Sequence, residues 1–303
     1  MVLMERCGYG WDQAHDDVDK LVDLAAAAHN CWGLETLKLP FDMTVEAEAL
    51  GGQIDRGTRD TLPQLINHLY DEPKDFSFNR DLLTCGRIPV VLKAIEKAKT
   101  RYDGDAAVVS SIVGPFTLGT RLFGFDNFLI WALAEPEKAH EAMERLTRLC
   151  TMYAVEQTNA GCDIVLIGEA ASSGDLISPE TYHDMIMPYH RALCSSLSVP
   201  SVVHICGNIT GHLPYIAESG MTAISFDGKT DVKMAIKLLK GKTALVGYVD
   251  TMGVLLNGTP EEVFKSSVDC INAGVDLLCA GCAWPAHLPT ENVLAMIRAA
   301  QHQ

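Results

Sequence analysis

Long apolar runs are absent from this 303-residue sequence. None approaches the ~20 residues that a membrane-spanning helix needs, which argues against a membrane protein. Positive charge is also scarce, with 24 Lys and Arg against 39 Asp and Glu and a net charge of −15. Nucleic acid and anionic membrane surfaces are polyanions, so this balance argues against both as partners. Ten cysteines in a chain of this length are too dilute for a disulfide scaffold. The start, Met1 to Arg6, lacks the charged-then-apolar layout of a secretory leader. Reduced thiols in a cytoplasm are therefore expected. No glycine-rich phosphate loop follows any expected strand, which weakens a nucleotide-binding reading. There is no repeat of convincing period and no low-complexity linker, so residues 1–303 are expected to form one domain.

What the sequence does contain is an ordinary globular composition, 48% hydrophobic and 21% charged. Its most informative stretch is Ser201–Asn208, where a β-rich run ends in His204 and Cys206. Residues i and i+2 of a strand point to one face, so both side chains aim at one point past the strand end. Imidazole and thiolate together suit zinc. A second apolar run, Leu277 onward, ends in Cys282 and supplies a third donor. His204, Cys206 and Cys282 make a Cys₂His set with one open position. A histidine and a cysteine at a strand end are also a common packing pair, and it is the second strand-terminal cysteine that raises the metal reading.

Around this stretch, strands and helices alternate. Strands are expected near Glu35–Asp42, Ala106–Val113, Asp163–Ile167, Ser201–Cys206, Thr222–Phe226, Ala244–Val249 and Asp276–Cys279. Helices between them carry clear start signals, such as Ser178–Pro179–Glu180 and Thr259–Pro260–Glu261–Glu262. That order predicts a parallel sheet with right-handed crossovers. Asp42, Glu169, His204, Cys206, Asp227, Asp250 and Cys282 fall at the C-terminal ends of strands. A (β/α)₈ TIM barrel gathers those ends at one mouth, whereas an open doubly wound sheet spreads them along an edge. The barrel is the expected fold.

The motifs His204–Ile205–Cys206–Gly207–Asn208, Gly281–Cys282 and Pro40–Gly51 resemble the MtaA/CmuA-type methyltransferases of the uroporphyrinogen decarboxylase superfamily. So do Ser173–Pro179 and the segment from Val249 to Pro260, and the likeness runs over nearly the whole chain. The resemblance implies a zinc-dependent barrel that moves a methyl group from a methylated corrinoid to a thiol, typically coenzyme M. It implies zinc on His204, Cys206 and Cys282, with Cys282 rather than Cys279 because it follows the glycine. The family has a further strand before the helix at Trp11, so this barrel is expected to be one stave short or closed by other means. Tyr248 stands where relatives often have asparagine. The corrinoid is expected on a partner protein, since the chain has no His-rich corrinoid-binding segment.

The chemistry follows from the donors. A free thiol is mostly protonated at neutral pH, and a zinc-bound one is a thiolate, the nucleophilic form. Glu169 is a candidate fourth ligand or proton acceptor, its alternative being a hydrogen-bonded loop carboxylate. Asp250 and Asp227 are candidates to orient His204 or, equally, to cap helices. Glu46 and Glu48 read as a solvated loop rather than part of the mouth. His183 and His190 read as surface or satisfied histidines, and Trp284–Pro285 as a pocket wall or loop packing. A decarboxylase of the parent superfamily is disfavoured because Arg6 stands nearly alone where those enzymes carry an arginine-rich motif. A non-catalytic corrinoid-protein-binding subunit is disfavoured by the open metal position.

Overall fold

The computed structural model describes residues 2–301. Seven strands form one parallel sheet: β1 (Thr36–Leu39), β2 (Ala107–Val113), β3 (Ile164–Gly168), β4 (Ser201–Ile205), β5 (Ala223–Phe226), β6 (Ala244–Val249) and β7 (Leu277–Ala280). They pair in sequence order, and the sheet curls into a barrel of the (β/α)₈ kind. A short antiparallel hairpin, Ile54–Asp55 with Gln64–Leu65, is the excursion before β2.

The helices between the strands carry the start and stop signals their sequences promise. In α1 (Val18–Trp32) the Asp17 side chain accepts from the Asp19 and Lys20 amides, and Gly33 ends the helix at φ 74°. The other main helices are α2 (Ile88–Tyr102), α3 (Pro115–Leu122), α4 (Pro136–Asn159), α5 (Met187–Ser195), α6 (Pro260–Ala273) and α7 (Thr290–Gln301). At α6, Thr259 and Glu262 form a reciprocal capping box. No helix among the described residues is long and apolar enough to cross a membrane.

One element departs from expectation. The helix that opens at Ser178–Pro179–Glu180 is not uniformly α-helical but runs as Pro179–Thr181, a π-helical turn Tyr182–Ile186, and α5. Pro188 lacks an amide hydrogen and its ring crowds the preceding turn, so the ladder slips there.

Strand alternation divides the sheet into two faces. Leu37, Leu39, Val108, Ile167, Val203, Ile205, Ile224 and Phe226 point outward into the main core against the helices. Val202, Ala223 and Val246 point inward and meet Ile164, Leu166, Ala244 and Cys279 in the lumen. The sheet ends at β1 and β7, and among the described residues no ladder joins the two. The described residues thus supply seven strands, one fewer than a closed (β/α)₈ barrel has. The consequence is visible at Leu277, which pairs in register with inward-facing Val246 yet is 54% exposed.

Candidate metal centre

His204 follows Val202 on the inner face of β4, and Cys206 lies just past the strand end. Gly207, at φ 78°, turns the chain away, and its amide donates to Asp227 Oδ2 at 2.6 Å. A side chain at that φ would be strained, so glycine is required there. Cys282 is presented from beyond β7, where its amide donates to Thr251 Oγ1 at 3.0 Å and the Gly281 amide to the Val249 carbonyl at 2.8 Å.

These pieces bring three donors together. His204 Nε2 lies 3.2 Å from Cys206 Sγ, which lies 3.6 Å from Cys282 Sγ. All three donor atoms fall within 4.8 Å of one another. A tetrahedral zinc with Zn–S about 2.3 Å and Zn–N about 2.0 Å holds two sulfurs about 3.8 Å apart and sulfur and nitrogen about 3.5 Å apart. The residues therefore fit zinc in spacing and in donor chemistry. No fourth His, Cys, Asp or Glu joins the set among the described residues, which leaves one position open.

The thiols themselves are polarised. Hydrogen bonds from Cys206 and then from His204 pull the Cys282 thiol down to about 4. Cys206 is pushed up, chiefly by the hydrogen bond to Cys282 and then by burial. The two thiols titrate as a pair, with Cys282 held on the readily deprotonated side by its two hydrogen-bond partners.

Two candidates from the sequence are placed elsewhere. Glu169 is fully buried and is not part of the cluster. Gly168 pairs with His204, so the next residue faces the opposite way, out of the lumen. Its carboxylate accepts from the Thr117 amide at 2.6 Å and the Phe116 amide at 3.4 Å, at the start of α3, and meets His190 Nε2 at 2.8 Å. A Cβ on Gly114 would sit 2.4 Å from this carboxylate, so only glycine lets the helix start close onto it. Glu169 is a clamp between α3 and α5 rather than a fourth ligand.

Asp250 is exposed and accepts from the Met252 and Gly253 amides at 3.0 and 2.9 Å, capping the Thr251–Leu256 turn. Asp227 accepts from Gly207 and Lys229. Neither orients His204. Ser225 does so, with Oγ 3.0 Å from His204 Nδ1. His183 lies beside Asp184, and His190 is satisfied by Glu169 and Tyr182. Trp284 packs with the apolar cluster around Val249 and Leu255.

The segment after β1, expected as a solvated loop, is instead a buried polar network. Asp42 accepts from Arg87 at 2.8 and 3.1 Å, from Thr44, and contacts His15 at 3.0 Å. Burial alone would raise the Asp42 carboxyl, but the hydrogen bonds from His15 and Arg87 outweigh it and hold it well below the ordinary range. Glu46 accepts from the Val113 amide at 2.8 Å and is pushed up by burial to about 7. Glu48 pairs with Arg87 and Arg56.

The uroporphyrinogen decarboxylase (URO-D) family model matches residues 1–303. A methylated-thiol–coenzyme M methyltransferase of Methanosarcina mazei is 35% identical over 98% of this chain and 80% of its own length. A methylcobamide:CoM methyltransferase, MtbA, of the same organism is 32% identical over 99% of this chain and 89% of its own. A solved methyltransferase from Methanosarcina mazei superposes with a TM-score of 0.95 at 30% identity, covering 99% of this chain and 89% of that one. The fold, the motif spacing and these likenesses converge, and the chain belongs to the uroporphyrinogen decarboxylase family.

Proposed function

We propose that this protein is a cytoplasmic methyltransferase that moves a methyl group from a methylated corrinoid, carried on a partner protein, to a small thiol such as coenzyme M. We assign zinc to His204, Cys206 and Cys282. The observation that carries the reading is the convergence of those three donors, with one position left open, at the strand ends of a barrel. Relatives along the chain bear the names of methylcobamide:CoM and methylated-thiol–coenzyme M methyltransferases. All ten cysteines are free thiols, in keeping with a reducing compartment.

Zinc held there supplies a Lewis acid that keeps a thiol substrate deprotonated near neutral pH. The chain's own residues prepare that site. Cys282 and Cys206 bring negative charge to one side of the substrate position, favouring an electron-rich sulfur. Ser225 fixes the His204 ring through Nδ1 and leaves Nε2 directed at the cluster. In the overall reaction the methyl carbon leaves cobalt and joins sulfur, and the thiol gives up its proton. Zinc-loaded protein should demethylate methylcobalamin, or a methylated corrinoid protein, only when a thiol is present, as read by the cobalamin absorption spectrum. Absence of thiol-dependent demethylation with either donor overturns the reading.

A further inference from the structure

Both cysteine donors are braced by a mouth loop, and beside each brace a large apolar side chain is left in solvent. After β6, buried Thr251 holds Cys282 from both sides. Its hydroxyl accepts from the Cys282 amide at 3.0 Å and donates to the Cys282 carbonyl at 3.4 Å. The next residue, Met252, is 56% exposed. After β3, buried Ser173 and exposed Asp175 lie against Gly207, the residue that follows Cys206. A Cβ on Gly207 would collide with Ser173 Oγ and Asp175 Oδ2. The next residue, Leu176, is 47% exposed.

Neither backbone is loose. The Met252 amide donates to Asp250 Oδ1 at 3.0 Å, and its carbonyl accepts from Asn257 Nδ2 at 2.7 Å. The Leu176 amide donates to the Ser173 carbonyl at 2.9 Å, and Ile177 after it is buried in the main core. Single exposed apolar side chains are ordinary, and it is the placement of these two that is informative. Cys206 and Cys282 meet at 3.6 Å, so the two loops bring Leu176 and Met252 to the rim of one metal centre. Polar groups stand beside them, namely exposed Asp250 and the Asp175–Lys229 ion pair at 3.3 Å.

We propose that Leu176 and Met252 are the apolar seat of the methyl donor's corrin ring, which lies across both side chains with its edge over the polar rim. The inference rests on the methyl-transfer reading and deepens it by naming the chain's contacts to the donor. A methyl group can pass from cobalt to a sulfur in the open position only if the macrocycle stands over that position. The macrocycle then covers whatever flanks the position. A corrin carries C–H and methyl groups on its faces and amides around its edge, and an apolar pair with hydrogen-bonding neighbours matches that distribution. The ring, rather than the carrier polypeptide, is the occupant because each anchor is one residue from the brace of a metal donor.

The test titrates free methylcobalamin into zinc-loaded protein by calorimetry, with no carrier protein and no thiol present. It also reads KM for methylcobalamin in thiol-dependent demethylation. Covering the exposed half of one such side chain predicts about fivefold weaker binding for Leu176→Ser and for Met252→Ser. The double variant should lose about 25-fold. Met252→Leu keeps the apolar bulk and should bind within about twofold of the parent. Leu277→Ser, similarly exposed but on the first residue of β7 at the opposite end of the barrel, should bind like the parent. Zinc content and melting temperature should stay parental throughout, because both side chains lie at the surface. If a serine variant does not fold, Leu176→Gln and Met252→Gln carry the same expectation. Unchanged methylcobalamin binding in the double variant overturns the proposal, as does an equal loss in Leu277→Ser. So does a parent that binds no free methylcobalamin. A loss seen only with a methylated carrier protein also overturns it and gives the surface to the polypeptide. If methylcobalamin binding shows the expected dependence but no thiol is methylated, the methyl-transfer reading falls and the corrin seat stands. If demethylation proceeds with parental KM in the double variant, the seat falls and the reading stands.

Discussion

Across the β4–β5 ladder, His204 and Ser225 are register partners, and the imidazole Nδ1 stands 3.0 Å from the serine Oγ. The ring orientation is thereby set by a neighbouring strand rather than by the flexible loops at the mouth. Partners of this kind that hold a metal-binding histidine typically contribute about 10- to 100-fold in metal affinity. Ser225→Ala should therefore weaken zinc binding by that factor, measured by competition with a chromogenic chelator, with the melting temperature of the metal-free protein little changed. Unaltered zinc affinity would show that packing alone positions the ring.

One zinc per chain is expected in the parent protein. Cys206→Ala and Cys282→Ala should each lose most of it by elemental analysis, whereas Cys279→Ala should retain it. Cys279 lies inside β7, its thiol pushed up by burial, and it packs with the lumen cluster. A full site in Cys282→Ala and an empty one in Cys279→Ala would reverse the ligand assignment.

Glu169→Ala should damage stability rather than metal binding. The substitution leaves the Thr117 amide and His190 Nε2 buried without their shared partner. Breaking a buried pair of this kind costs about 3–5 kcal/mol. Urea denaturation reads the loss, and zinc content per folded molecule should stay at the parental value. Zinc loss without a stability change would return Glu169 to the metal.

Glu46 gives a pH dependence with a definite sign. Its folded-state value is raised by burial from 4.5 to about 7, so the native chain keeps this proton where the unfolded chain has released it. The stabilisation is complete below pH 4.5 and is lost as pH rises to about 7. The total loss is about 3 kcal/mol. Glu46→Gln removes this contribution while preserving an oxygen for the Val113 amide. Plotted against pH, the stability of the parent should therefore fall relative to the variant over that interval. Parallel curves would mean that Glu46 titrates normally.

The strand order and the three-donor cluster were legible in the sequence because both depend on short-range pattern. Period-two alternation marks β4 and places His204 and Cys206 on one side, and Gly281–Cys282 ends the next informative strand. The role of Glu169 was not legible, because one residue of register decides whether a strand-end carboxylate faces the lumen or the helices. That parity is fixed by pairing to β4, a partner many residues away. The Asp42–Arg87–His15 network was missed for a related reason. Its members lie on three separate elements, and nothing local distinguishes them from surface charges. Ser225 was hidden because a serine inside a strand carries no positional signal until its cross-strand neighbour is known.

A slit ring has no hoop strength. The segments that flank β1 and β7 meet through contacts such as the His287–Asp60 ion pair at 3.1 Å and the packing of Ala286 on the Met4–Ala14–Leu24 cluster. Spreading the lips breaks such contacts and, among the described residues, no ladder hydrogen bond, so the girth is held less firmly than that of a closed barrel. Cys282 rides on one lip, whereas Cys206 belongs to the opposite wall. An ion gripped by both would act as a strut across the ring, and loading it would stiffen the whole circumference rather than only the mouth.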